Sequence, residues 1–182
     1  MTGSLPGIAR WSTTARAGHA RSDHRADRQV AARRAVLDPG CATGVPVAAE
    51  LAGRYRVTGV DISPEHIQQA ARNVPGAEFI CSDALAVTFP AGHFDAIISL
   101  YTFDHIPRDE HRDLLGRLRR WLRPGGLLLL SIEDLDEPGT VTEWQGADMY
   151  FSMFSADATR QMYRFSSGKR LINSSSGAGS WS

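Results

Sequence analysis

From Ala35 onward the apolar positions alternate between short runs and helical stripes. "AVLD" (35–38) predicts a strand closed by an acid. Pro39 cannot donate to a ladder and pushes the residue before it towards extended backbone, so Asp38 is expected to end the strand and Pro39 to lead out of it. "VPVAAELAGR" (45–54) predicts a helix with Pro46 in its first turn, and "YRVTGVD" (55–61) a strand of alternating side chains. "SPEHIQQAARN" (63–73) opens a helix capped by Ser63, with Pro64 at its first position. "AEFICSD" (77–83) is a strand, and the nearly continuous apolar "FDAIISLY" (94–101) is a strand of the kind buried on both faces. A helix over 107–126 follows, with Leu114, Leu115, Leu118, Trp121 and Leu122 on one stripe and Gly125 and Gly126 past its end. "LLLLSI" (127–132) is the fifth strand.

Strands and helices alternating in this way predict an α/β fold with a doubly wound, mostly parallel sheet covered by helices on both faces. The order is harder to read after Glu133, where "SADATRQMYRF" (155–165) predicts a helix. Residues 35–165 are expected to form the domain. Residues 1–34, rich in Ala, Arg, Ser and Gly, form a weakly structured extension: a flexible segment, a poorly packed helix around "DHRADRQVAARRA", or an Arg-rich, acid-poor transit peptide. The glycine-serine stretch 166–182 is expected to be a disordered tail.

The chain has 182 residues, 42% of them hydrophobic, which is enough for one core and short for two. Its 20 basic residues balance 20 acids, so no net field draws it to nucleic acid or anionic lipid, and a small molecule is the expected partner. No apolar run reaches the roughly 18–20 residues of a membrane span. Cys41 and Cys81 lack metal-site or redox spacing, so reduced thiols and a cytoplasmic location are expected, with no metal.

In a doubly wound sheet, ligands bind beyond the carboxyl ends of the strands. Asp38, Gly40, Ala42 and Gly44 follow the first strand, Asp61 ends the second, Asp83 follows the third, and "SLYTFDHIP" follows the fourth. Taken in order, "LDPGCATG", "VTGVDIS", "CSDA", "FDAIISLYTFDHIP" and "LRPGG" resemble the motifs of class I S-adenosylmethionine-dependent methyltransferases of the small-molecule type, from about Val36 to Phe154. The resemblance implies a Rossmann-like methyltransferase fold and S-adenosylmethionine as cofactor.

By that resemblance Gly40, Cys41, Ala42 and Gly44 form the loop around the methionyl part, whose carboxylate the next helix N-terminus favours. Ala42 replaces the middle glycine and is expected at negative φ. Asp38 balances the cationic methionyl end, and the backbone carbonyls of Ser99 and Leu100 receive its amino group. Asp61 takes both ribose hydroxyls, Ile62 covers the adenine, and Asp83 with the Ala84 N–H meets the adenine edge, unless Asp83 only forms a turn.

His105 is the candidate catalytic base, with Asp104 or a backbone group setting its tautomer; alternatively it packs the loop against the cofactor. His93, in a turn, and His111, on a helix face, are expected in solvent. Trp144, Met149, Tyr150, Phe151 and Phe154 are candidate acceptor walls; alternatively they simply cover the sheet. Two further readings stand beside an active enzyme: a non-catalytic or damaged relative that binds the cofactor, and an NAD-dependent oxidoreductase, which the missing G-x-G-x-x-G disfavours. The family's last one or two strands have no counterpart here. The outer edge of the fifth strand is therefore expected to be covered by the residual C-terminus or by a partner chain, giving a homo-oligomer, or else the protein is marginal and aggregates.

Overall fold

The computed structural model describes residues 10–11, 34–144 and 146–164. Its elements are β1 (Arg10–Trp11), β2 (Ala35–Pro39), α1 (Val47–Leu51), β3 (Arg56–Asp61), α2 (Pro64–Asn73), β4 (Glu78–Cys81) and β5 (Phe94–Ser99). A 3₁₀ turn (Phe103–His105) follows, then α3 (His111–Trp121), β6 (Leu122–Leu130), β7 (Glu137–Trp144), β8 (Ala147–Met153) and α4 (Ala156–Arg164). The main sheet runs β1-β4-β3-β2-β5-β6. Its last five strands are parallel, and β1 pairs antiparallel with β4. This is the doubly wound α/β sheet expected from the alternation, with its topological switch between β2 and β5.

Alternate side chains feed two cores. Leu37, Val60 and Ile97 join Leu114, Leu115, Leu118 and Trp121 of α3, whereas Val57 and Phe79 join Ala48 of α1 and Ile67 and Ala70 of α2. Leu114 and Leu118 are almost fully buried, each stabilising the fold by about 1.5–3 kcal/mol relative to exposure. Gly59 of β3 admits the Phe79 ring, since a Cβ there would lie 2.6 Å from it.

Four local expectations change. β2 extends through Pro39, which pairs with Val60. "LRPGG" is no separate turn: α3 passes directly into β6, where Leu122 pairs with Phe94, and an irregularity between Phe94 and Ala96 absorbs Pro124 and the positive φ of Gly125. His111 is buried, not solvated, and its Nε2 lies 3.0 Å from Phe103 O and 2.9 Å from Ile106 O. Burial lowers its pKa, which keeps the ring neutral and able to donate to one carbonyl. The stretch after Glu133 forms a hairpin, β7–β8, as a second sheet.

β6 ends the main sheet, and among the described residues no strand pairs with its outer edge. Of residues 1–34, all but Arg10, Trp11 and Arg34 lie outside the described residues, as does the tail at 166–182. No helix among the described residues is long and apolar enough to cross a membrane.

Candidate active site

The strand ends at the switch point are joined at Pro39. Its carbonyl accepts from the buried Ser99 Oγ at 2.8 Å and lies 3.1 Å from Thr102 Oγ1, so the ends of β2 and β5 are tied together. Gly40 turns the chain at φ +75°; a Cβ there would lie 2.0 Å from Thr102 Oγ1, so only glycine fits beneath that hydroxyl. The N–H groups of Gly40 and Cys41 both donate to Val60 O, at 2.7 and 3.0 Å, and Gly44 N–H donates to Cys41 O at 2.8 Å. Ala42 sits at φ +45°, not at the negative φ expected. Its N–H donates to Asp61 Oδ2 at 2.9 Å, and that bond holds the alanine in the left-handed conformation the loop needs. The helix that follows, α1, is only five residues long, with Pro46 at its cap.

Asp61 is the hub of the rim. Its Oδ1 accepts from Ser63 N–H at 2.9 Å and lies 3.3 Å from His66 Nδ1. Ser63 caps α2 as expected, accepting from His66 N–H at 3.2 Å, and this brings the imidazole back over the carboxylate. His66 is a neighbour that residue type alone does not reveal; the signal lies in the cap, which folds position 66 towards position 61. Ile62 beside it is 71% exposed, an apolar side chain left open at the strand end.

Asp38 is almost fully buried. Desolvation, and then the charge of Asp61, push its pKa up to about 7. Burial together with the two acids raises the Cys41 thiol too, so that sulfur stays protonated and packs as a small apolar group. Asp83 is exposed, and its Oδ1 accepts from Leu85 N–H at 2.8 Å, closing a turn in front of Ala84 and Leu85. Ser99 O accepts from Ser131 N–H at 3.1 Å, and Leu100 O lies 3.2 Å from Thr102 Oγ1.

The loop after β5 carries the other chemistry. His105 Nδ1 lies 3.0 Å from Tyr150 O. A carbonyl only accepts, so Nδ1 carries a proton, and in the neutral ring the lone pair lies on Nε2. A backbone group thus sets the tautomer. Asp104 is buried instead, with an Oδ1 that has no hydrogen-bond partner among the described residues. Burial and then the charge of Glu133 raise its pKa. Tyr101, at φ +55° and 68% exposed, projects from the same loop. His93 is exposed, edge-on to Phe94. Among the described residues, no three His, Cys, Asp or Glu are grouped to hold a metal ion.

Arg117 and Arg123, at the two ends of the basic stretch 117–123, have structural partners. Arg117 donates to the carbonyls of Leu85 and Val87, and Arg123 pairs with Asp95.

Residues 36–126, half of the 182-residue chain, match the family model for a methyltransferase domain. The 2-methyl-6-phytyl-1,4-hydroquinone methyltransferase of Synechocystis sp. is 35% identical over 101 residues, covering 53% of this chain and 31% of that protein. The trans-aconitate 2-methyltransferase of Azoarcus sp. is 36% identical over 106 residues, covering 57% and 41%. The chain thus spans less than half the length of these two relatives. Among solved structures, a methyltransferase from Methanosarcina mazei superposes with a TM-score of 0.63 at 20% identity, over 78% of this chain and 82% of its own. The DhpI–SAH complex superposes with 0.58 at 24%, over 76% and 71%. A family match across half of its residues, on a fold that solved methyltransferases share, makes this chain a member of the methyltransferase-domain family.

Proposed function

We propose that this protein transfers a methyl group from S-adenosylmethionine to a small-molecule acceptor, with the donor held in the crevice between β2 and β5. One observation carries the reading: Asp38 and Asp61 stand at neighbouring strand ends, and burial, then the charge of the second, raise the pKa of the first. A cation beside Asp38 relieves that repulsion, and hydroxyl donors suit the rim carboxylate, so a single ligand with a cationic end and a ribose fits both. When bound, S-adenosylmethionine supplies a methyl group activated on a sulfonium.

The chain's own residues do the rest. Asp61 accepts from the ribose hydroxyls and Ile62 covers the adenine, whose edge Asp83 and the Ala84 N–H meet. The loop of Gly40, Cys41, Ala42 and Gly44 borders the methionyl end, opposite Asp38 and the carbonyls of Ser99 and Leu100. His105 Nε2 takes the acceptor's proton. Methyl transfer then depends chiefly on alignment at close approach. The names of the two relatives, one for a hydroquinone and one for trans-aconitate, support a small molecule over a nucleic acid. We place the protein in the cytoplasm, in keeping with its free Cys41 and Cys81, and as a homo-oligomer joined through the open edge of β6.

Titration calorimetry with S-adenosylhomocysteine and, separately, with NAD tests the donor site. Binding of the first alone is expected; binding of NAD alone overturns the reading in favour of an oxidoreductase. Donor binding with no transfer to any acceptor identifies a non-catalytic relative.

A further inference from the structure

The hairpin sorts its side chains onto two faces. Its register sets Thr140 opposite Phe151, Thr142 opposite Met149 and Trp144 opposite Ala147, so these share one face; Val141 with Tyr150 and Glu143 with Asp148 share the other. On the first face the rings form a row that continues into the loop after β5. Trp144 and Phe151 have centroids 6.1 Å apart at 72°, and Phe151 and His105 are 4.9 Å apart at 58°. His105, its proton fixed on Nδ1 by Tyr150 O, is the polar end of the row. Trp144 is the other end and is 55% exposed, a large apolar surface left in water.

The remaining aromatic candidates have other partners. The Phe154 ring carries the Arg108 guanidinium 5.0 Å from its centroid and stands edge-on to His111. Tyr150 lies on the opposite face, its hydroxyl beside Gly139. Among the described residues Arg108 packs on this segment and pairs at its exposed side with Asp136 at 2.7 Å.

We propose that the methyl acceptor is a flat aromatic hydroxyl compound, a phenol or hydroquinone, whose ring lies along Trp144 and Phe151 with its hydroxyl at His105 Nε2. The inference rests on the donor site described above. A phenolic proton, with a pKa of about 10 as in tyrosine, is within reach of a neutral imidazole, whereas an aliphatic hydroxyl, closer to the roughly 15.7 of water, is not. A carboxylate acceptor has no proton for His105 to remove. Aromatic rings also stack on the faces and edges that such a row presents. In the step, the acceptor oxygen bonds the methyl carbon while the sulfur–methyl bond breaks and leaves its electron pair on sulfur. The hydroxyl proton passes to His105 Nε2 and from there to water.

The test is calorimetric titration of the full chain, saturated with S-adenosylhomocysteine, using methylhydroquinone, decanoate and citrate as probes. Methylhydroquinone is expected to bind. Trp144→Ala and Phe151→Ala are expected to weaken that binding at least tenfold without changing S-adenosylhomocysteine affinity, which also checks that the variants fold; Trp144→Leu replaces an alanine variant that does not. His105→Gln is expected to keep the binding and to lose about 10²–10⁴-fold in transfer of labelled methyl to methylhydroquinone. If the nucleoside binds but only the acids follow it, or methylhydroquinone binds the row variants as tightly as the parent, the inference is overturned and the donor site stands. If the nucleoside itself does not bind, both fall.

Discussion

Asp38 at the end of β2 and Asp61 at the end of β3 are electrostatically coupled across one rim: burial first, and the charge of Asp61 second, hold Asp38 at about 7. Unfolded, Asp38 loses its proton near 3.9. Between those two values the folded state holds the extra proton, so this residue makes stability fall as pH rises, by at most about 1.4 kcal/mol per pH unit.

The expected outcome is a urea-unfolding stability that, from about pH 4 to pH 7, falls in the parent relative to Asp38→Asn, since the lowered pKa of His111 adds the same slope of opposite sign to both proteins. Asp104, whose pKa is also raised, contributes a slope of the same sign to both proteins, so the difference between the two curves isolates Asp38. A cationic ligand end favours ionised Asp38, so S-adenosylhomocysteine affinity should strengthen as pH rises through 7 and do so less in the asparagine variant. Superimposable curves for the two proteins would remove Asp38 from the account.

Ala42 and Gly40 predict opposite outcomes for the same kind of change. Ala42 holds φ +45° with a methyl group that gains nothing from it. The left-handed conformation costs a non-glycine residue about 1–2 kcal/mol, and the extra chain entropy of glycine offsets about 0.5–1 kcal/mol of the relief. Ala42→Gly should therefore raise unfolding stability by about 0.5–1 kcal/mol, with the N–H still available to Asp61. Gly40→Ala drives a Cβ to within 2.0 Å of Thr102 Oγ1, and should lower stability by about 2–5 kcal/mol from overpacking and backbone strain together. Chemical denaturation checks both signs.

The alternation of runs and stripes was enough to give the parallel sheet and the strand ends where the acids gather, because a strand with both faces covered and a helix with one apolar stripe have different periods. The backbone state of Ala42 is not written in its identity; it follows from a hydrogen bond to a residue nineteen positions later. His111 reads as solvated by residue type, yet it stands three and four positions before Leu114 and Leu115 on the same stripe, and the two carbonyls above it make burial tolerable. The hairpin is faint in the sequence because β7 carries Pro138 and Gly139 and is exposed along most of its length, so few of its positions mark an inward face. His66 becomes visible only once the Ser63 cap is in place.

Asp61 and His66 should differ sharply in weight. The carboxylate accepts from Ala42 N–H and Ser63 N–H and is the proposed ribose contact, so Asp61→Asn turns an amide towards groups that need acceptors. Loss of charged hydrogen bonds worth about 1.5–3 kcal/mol predicts a roughly 10–100-fold weaker S-adenosylhomocysteine affinity. His66 is about half exposed at 3.3 Å from the carboxylate, and such pairs contribute about 0–1 kcal/mol, so His66→Ala should cost less than about fivefold. Calorimetry on both variants orders them, and a larger effect at His66 would make the imidazole, and not the carboxylate, the ligand's main contact.

The outer edge of β6 supplies the last test. Leu127 is 37% exposed there, Leu128 to Leu130 are only half-buried, and no strand among the described residues pairs with that edge. An apolar edge that no described strand pairs favours strand addition, most simply by a second copy of the same strand about a two-fold axis. Light scattering should therefore report a dimer or larger species whose population falls on dilution. Leu127→Lys places a charge on the edge without touching the buried core, so it should shift the population to monomer with little change in unfolding stability. A parent protein that is monomeric at every concentration and shows slow hydrogen exchange in residues 166–182 would mean instead that the chain covers its own edge.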